Sequence, residues 1–189
     1  MLLTSSANPI HLADLGDHHM GLTEPVAGAL HEAASVCLDR HHDPPVTIQV
    51  DADGESSAMT VAWTPPDERV LRCHANEIDA TEDGACAVSM ACVERTLALV
   101  VIGRTHHATG ADWYVGPKGT EVDETGLPNL DDPSVLGLEV SGVDRGSIGG
   151  RLKDKKKQIL KADYFPAGIA AVVGFERAIV GIARVSAEG

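Results

Sequence analysis

The chain has 189 residues, 43% of them hydrophobic, which is enough for one domain with a packed interior. Only 3% are aromatic, so Val, Leu, Ile and Ala must fill the core, and the aromatic platforms that stack single-stranded nucleic acid are mostly missing. The net charge of −13 is opposite in sign to that of a free-standing nucleic-acid binder. The basic residues are nevertheless clustered: seven of the fifteen (Arg145, Arg151, Lys153, Lys155, Lys156, Lys157 and Lys161) fall in one short segment.

No stretch approaches the roughly 20 apolar residues of a membrane span, and the N-terminus lacks the basic start and apolar block of a signal peptide. Cys37, Cys73, Cys86 and Cys92 show no C-x-x-C spacing and read as free thiols. A cytoplasmic protein without membrane contact is expected.

Residues 1–20 are polar, His-rich and aperiodic, and predict a loose arm. Residues 22–40 predict a helix, with Val26, Leu30, Ala33 and Cys37 on one face and Pro25 in the first turn. Val46–Val50 and Ala58–Trp63 predict a hairpin around a turn at Asp51–Ser57. Residues 80–97 predict a helix that is apolar on most sides and hence buried, with Glu82 and Asp83 in its first turn. Strands are expected at 97–104, 110–116 and 135–142, the last two separated by a loop at 117–133. A basic helix follows at 147–162, then a nearly continuous apolar strand at 168–175 and a shorter one at 179–185. From residue 80 the order is α-β-β-β-α-β.

Asp112 and Glu139 lie in expected strands, and Glu82 opens the buried helix. An ionised carboxylate among apolar neighbours is costly unless paired. A divalent cation is one such partner, since Mg²⁺ is commonly held by one or two carboxylates together with water and phosphate oxygens. On the basic helix, Arg151, Lys155 and Gln158 form one narrow stripe bordering the apolar Leu152 and Ile159, whereas Lys153 and Lys157 point away. The glycine-rich turn GVDRGSIGG, with Arg145 and Ser147, precedes this helix and has the character of a weak anion site without being a Walker loop.

Glu82, Gly110-Ala111-Asp112, Glu139-Val140-Ser141 and Arg151-x-x-x-Lys155-x-x-Gln158, on an α-β-β-β-α-β order, resemble the PD-(D/E)XK nuclease superfamily over about residues 76–175. The resemblance implies a restriction-endonuclease-like α/β core with a mixed central sheet (76–189), preceded by an N-terminal extension of arm, helix and β-hairpin (1–75). It implies Mg²⁺ or Mn²⁺ bound by Asp112, Glu139, the Val140 carbonyl and Glu82, and hydrolysis of phosphodiester bonds in DNA or RNA. Position 141 holds Ser where the family has its lysine. Lys155 is then expected to supply the displaced charge, Gln158 and Arg151 to orient substrate or water, and Arg145, Ser147, Lys153 and Lys157 to contact phosphates. The alternative is a catalytically inactive relative serving as a binding or assembly subunit. A protein partner or homo-oligomer would supply the affinity that an acidic surface lacks.

Plainer roles are open for the same residues. Glu139 can serve as a structural ion-pair partner of Arg151 or Lys155, Asp112 as a turn residue, and the lysine run as a solvated face. Glu77 and Asp79 are alternatives to Glu82. The doublets His18-His19, His41-His42 and His106-His107 lack metalloprotease spacing and read as non-metal, with His107 five residues before Asp112.

Overall fold

In a computed structural model of the chain, residues 8–106, 109–162, 164–165 and 167–186 are described. They form a mixed α/β protein with an eight-stranded mixed sheet and five α-helices. The elements run β1 (Ile10–His11), a 3₁₀ turn at Leu12–Asp14, α1 (Leu15–His18), α2 (Glu24–Asp39), β2 (Val46–Ala52), β3 (Glu55–Ala62), α3 (Glu68–Cys73) and α4 (Glu77–Leu97). They continue with β4 (Leu99–Arg104), β5 (Trp113–Pro117), β6 (Leu136–Val143), α5 (Gly149–Ala162), β7 (Ala167–Gly174) and β8 (Ile179–Ser186).

Across the sheet the strand order is β1-β3-β2-β8-β7-β6-β5-β4. β4, β5 and β6 form an antiparallel meander. α5 then crosses over to place β7 parallel to β6, and β8 returns antiparallel. β2 joins β8 in parallel and pairs with β3 as a hairpin. The sheet hydrogen bonds between β2 and β8, and the packing of α2 on α4, both cross the 75/76 boundary.

Side chains alternate across β6 as the pleat requires. Leu138 and Val140 enter the main core beneath α4, while Glu139 turns to the opposite face, where Ile159 and Leu152 of α5 pack against Ala170 and Val185. α4 is held between α2 and the sheet, which is why it is apolar nearly all round and built of small residues. Closeness is extreme at Gly142, where a Cβ would lie 2.3 Å from the Thr81 carbonyl oxygen.

The N-terminal segment is not the loose arm expected of residues 1–20; residues 1–7 lie outside the described ones, and 8–20 are tied down. Leu12 and Leu15 are buried, and Ile10–His11 pair with the β3 edge. At the other edge of the sheet, the Gly21 N–H donates to Val101 O at 2.9 Å, and the Val101 N–H donates to His19 Nδ1 at 3.0 Å. A Cβ on Gly21 would come within 2.2 Å of the Ile102 backbone. One short segment therefore covers both edges of the curled sheet, where free N–H and C=O groups would otherwise invite pairing with another chain.

Other departures are local. In α2 Leu30, Ala33 and Cys37 are buried as expected, while Val26 is exposed and the buried face widens to take in Ala27, Ala34 and Leu38. The hairpin turn is only Asp53-Gly54, both at positive φ, so the strands run longer than expected. α3, capped by the Asp67 side chain, was not anticipated. α4 starts at Glu77 under an Asn76 cap, which moves Glu82 out of the first turn, and β5 starts only at Trp113.

Candidate functional site

The late start of β5 creates the site. β5 pairs with β6 only from Trp113↔Leu138 to Val115↔Leu136, so the edge of β6 from Val140 onward has no strand beside it. Two carboxylates take the place of that strand. Asp112 donates its N–H to Leu138 O (2.9 Å), and its Oδ2 accepts from the Val140 N–H (3.0 Å). Two residues on, Glu82 Oε2 accepts from the Gly142 N–H (3.2 Å) and Oε1 from the Ser141 hydroxyl (3.0 Å). The turn that delivers Asp112 is braced by the Thr105 and Thr109 hydroxyls, both donating to Ala111 O. In an extended strand the N–H and C=O of one residue point to the same side, so the Val140 carbonyl shares this edge with Asp112.

Glu139 is only 3% exposed. Lys155 Nζ donates to its Oε1 at 2.5 Å, and Gln158 Nε2 donates to the same oxygen at 2.8 Å. The two donors sit three residues apart on α5 and therefore on one face. Burial, and then the adjacent negative charge of Asp112, push the Glu139 carboxyl up from its ordinary 4.5 to about 7, against the opposing pull of Lys155.

Asp112, Glu139 and Gln158 line one cleft of about 720 Å³ together with Arg104, His106 and Lys161. The last three were not singled out from sequence. Lys161 follows Gln158 by three residues and was legible as an extension of its stripe. Arg104 ends β4, His106 lies two residues beyond it, and neither carried a periodic signal. Arg104 lies over the Trp113 ring, its Cζ 4.4 Å from the centroid, and His106 Nδ1 is 3.2 Å from the Tyr114 hydroxyl. His107 lies outside the described residues.

The expected phosphate contacts do not gather here. Arg145 is largely exposed beside Asp144, and Ser147 is exposed and accepts from the Gly149 N–H at the start of α5. Arg151, Arg145 and Glu82 line a separate depression of about 340 Å³. Lys153 and Lys157 are on the solvated side of α5. The basic helix thus divides between two sites, because the free edge of β6 is itself split between Asp112 and Glu82. The other histidines engage neighbours: His18 with Glu94, His41 with Asp144 and His42 with the Phe175 carbonyl.

Among the described residues no group of three or more His, Cys, Asp and Glu side chains is arranged to hold a metal ion. A cation at the cleft would rest on Asp112, Glu139 and the Val140 carbonyl, with water completing its shell. That all-oxygen set suits Mg²⁺ or Mn²⁺, and a cation would favour the ionised form of Glu139, which burial first and then the Asp112 charge disfavour. Glu82 does not belong to the set. It binds the strand edge two residues away, roughly 7 Å along β6, and both its oxygens are committed to Ser141 and Gly142. Comparison of the chain with protein families, with curated proteins and with solved structures found no match.

Proposed function

We propose that the protein is a metal-dependent phosphodiester hydrolase of the PD-(D/E)XK type, acting on DNA or RNA, with its core formed by α4 through β7. The observation that carries this reading is the meeting of Asp112 and Glu139 in one cleft at the point where β5 and β6 part, with Lys155 and Gln158 both donating to Glu139. The meander β4-β5-β6 followed by the α5 crossover to a parallel β7 supports the nuclease-like arrangement of the core.

A bound Mg²⁺ or Mn²⁺ would polarise a phosphate oxygen and lower the pKa of a water. The chain's own residues do the remaining work. The Val140 N–H fixes the Asp112 carboxylate in the fork. Lys155, bonded to Glu139, opposes the rise in that carboxyl's pKa and would stabilise negative charge growing on a phosphate bound beside it. Gln158 orients Glu139 and offers its amide to substrate or water. Lys155 would take the part of the lysine that Ser141 replaces; the Ser141 hydroxyl is occupied by Glu82. The four cysteines are free thiols, which suits the cytoplasm. No helix among the described residues is long and apolar enough to cross a membrane.

One observation favours the second reading, a non-catalytic binding or assembly module: the motif position Ser141 is tied to Glu82 as a structural bond. Calorimetric titration with Mn²⁺ separates the two. The hydrolase reading expects binding that is abolished by Asp112→Ala; absence of binding to the unaltered chain favours the module.

A further inference from the structure

We propose that Arg104 and Lys161 form the phosphate-binding subsite of this cleft, gripping backbone phosphates that flank the reacting one. The proposal rests on the reading of the cleft as a phosphodiester site. It moves the substrate path away from the lysines on the outer face of α5.

Arg104 ends β4, directly opposite Trp113 in the register of β4 and β5. Trp113 is 4% exposed, so its ring is a fixed platform for the guanidinium stacked on it. Stacking engages the face of a guanidinium and leaves its in-plane N–H groups to donate to an anion, the geometry that suits a phosphate. The group is held in place before any ligand arrives, and little freedom is lost on binding.

Neither Arg104 nor Lys161 takes part in any ion pair among the described residues. Asp83 feels the charge of Arg104 without pairing with it. In a chain of net charge −13, both of these cations line the cleft that holds Asp112 and Glu139. Lys155 is engaged by Glu139, and Arg145 by Asp144. Arg104 and Glu139 are separated by two strand spacings, roughly 10 Å, and Lys161 lies a turn beyond Gln158 on α5. Arg104 lines the cleft from the end of β4, on the face of the sheet that holds Trp113, and Lys161 lines it from α5.

The test is fluorescence anisotropy with the full chain carrying Glu139→Gln, so that cleavage does not intervene. The probe is a fluorescein-labelled DNA duplex of mixed sequence, with an RNA duplex of the same sequence as a second arm, titrated over a salt series. Arg104→Ala and Lys161→Ala should each weaken binding by about tenfold, the scale of a hydrogen bond to a charged group. Each should also reduce the slope of log K against log salt by about 0.9. Arg104→Lys, which keeps the charge and loses the fork, should fall between, and Lys153→Ala and Lys157→Ala should stay within about twofold of the parent. A parent that binds while Arg104→Ala and Lys161→Ala bind equally well overturns the subsite and leaves the hydrolase reading standing. A chain that neither binds nor cleaves either duplex overturns both. Thermal melts of each variant exclude loss of fold as the cause.

Discussion

Glu139→Gln should change how stability depends on pH, by an amount the structure sets. The folded protein holds the Glu139 proton more tightly than the unfolded chain does, because the carboxyl is buried beside Asp112. A carboxyl whose folded pKa is raised contributes stability below its unfolded value, and that contribution is lost as pH rises through the folded value. The window here runs from about 4.5 to about 7. At 1.36 kcal/mol per pH unit, a rise of about 2.5 sets a ceiling of about 3 kcal/mol. Glutamine keeps the shape, removes the charge and does not titrate. Urea unfolding in metal-free buffer, followed by the fluorescence of the buried Trp63 and Trp113, should show the variant gaining about 1–3 kcal/mol on the parent between pH 4.5 and pH 8. Adding Mg²⁺ or Mn²⁺ at the higher pH should restore part of the difference to the parent alone. Unfolding free energies that stay parallel across the range would refute the placing of a strained carboxylate pair in this cleft.

Lys155→Ala should lower single-turnover cleavage by roughly 10²–10³-fold, the loss seen when one preorganised stabilising group is removed, whereas Lys157→Ala should leave it near the parent rate; equal effects would remove the displaced lysine from the account. Gly142→Ala drives a methyl into the Thr81 carbonyl and should cost about 1–3 kcal/mol, read as a lowered Tm; an unchanged melt would contradict the close seating of α4 on β6. His19 is pushed down to about 4 by burial, so the parent should lose stability as pH falls from about 6.5 towards 4. His19→Gln should flatten that acid limb in urea unfolding, and an unchanged limb would show that His19 does not anchor the N-terminal segment to β4.

Asp112, Glu139, Lys155 and Gln158 were legible in sequence because each broke a local rule or shared a helical face. Glu139 interrupts an apolar strand, and the wheel of α5 puts Lys155 and Gln158 beside its buried stripe. The coarse α/β order was legible for the same reason, since apolar periodicity persists through α4, β6 and β7. Glu82 was misplaced because an Asn76 cap starts α4 a turn early, and because its bonds to Ser141 and Gly142 are long-range. Arg151 belongs to the same stripe as Lys155, yet faces the Glu82 depression, a split that appears only because β5 starts at Trp113. The N-terminal cover of the sheet carries no periodic pattern. It depends on His19 and Gly21 meeting Val101 about eighty residues away. Arg104 acquires its place only by lying over Trp113, a contact between two strands that the sequence separates by a loop.

The central claim is that Asp112 and Glu139 form a metal-dependent phosphodiester-cleaving centre. Its most direct measurement is cleavage of supercoiled plasmid DNA and of mixed-sequence RNA by the purified full chain, with Mg²⁺, with Mn²⁺ and with a chelator. Asp112→Asn and Glu139→Gln are assayed alongside, after melts show them folded. The account predicts cleavage of at least one substrate that requires the divalent ion and is lost in both variants. Cleavage that survives both substitutions, or a folded parent that cleaves neither substrate with either ion, would contradict it.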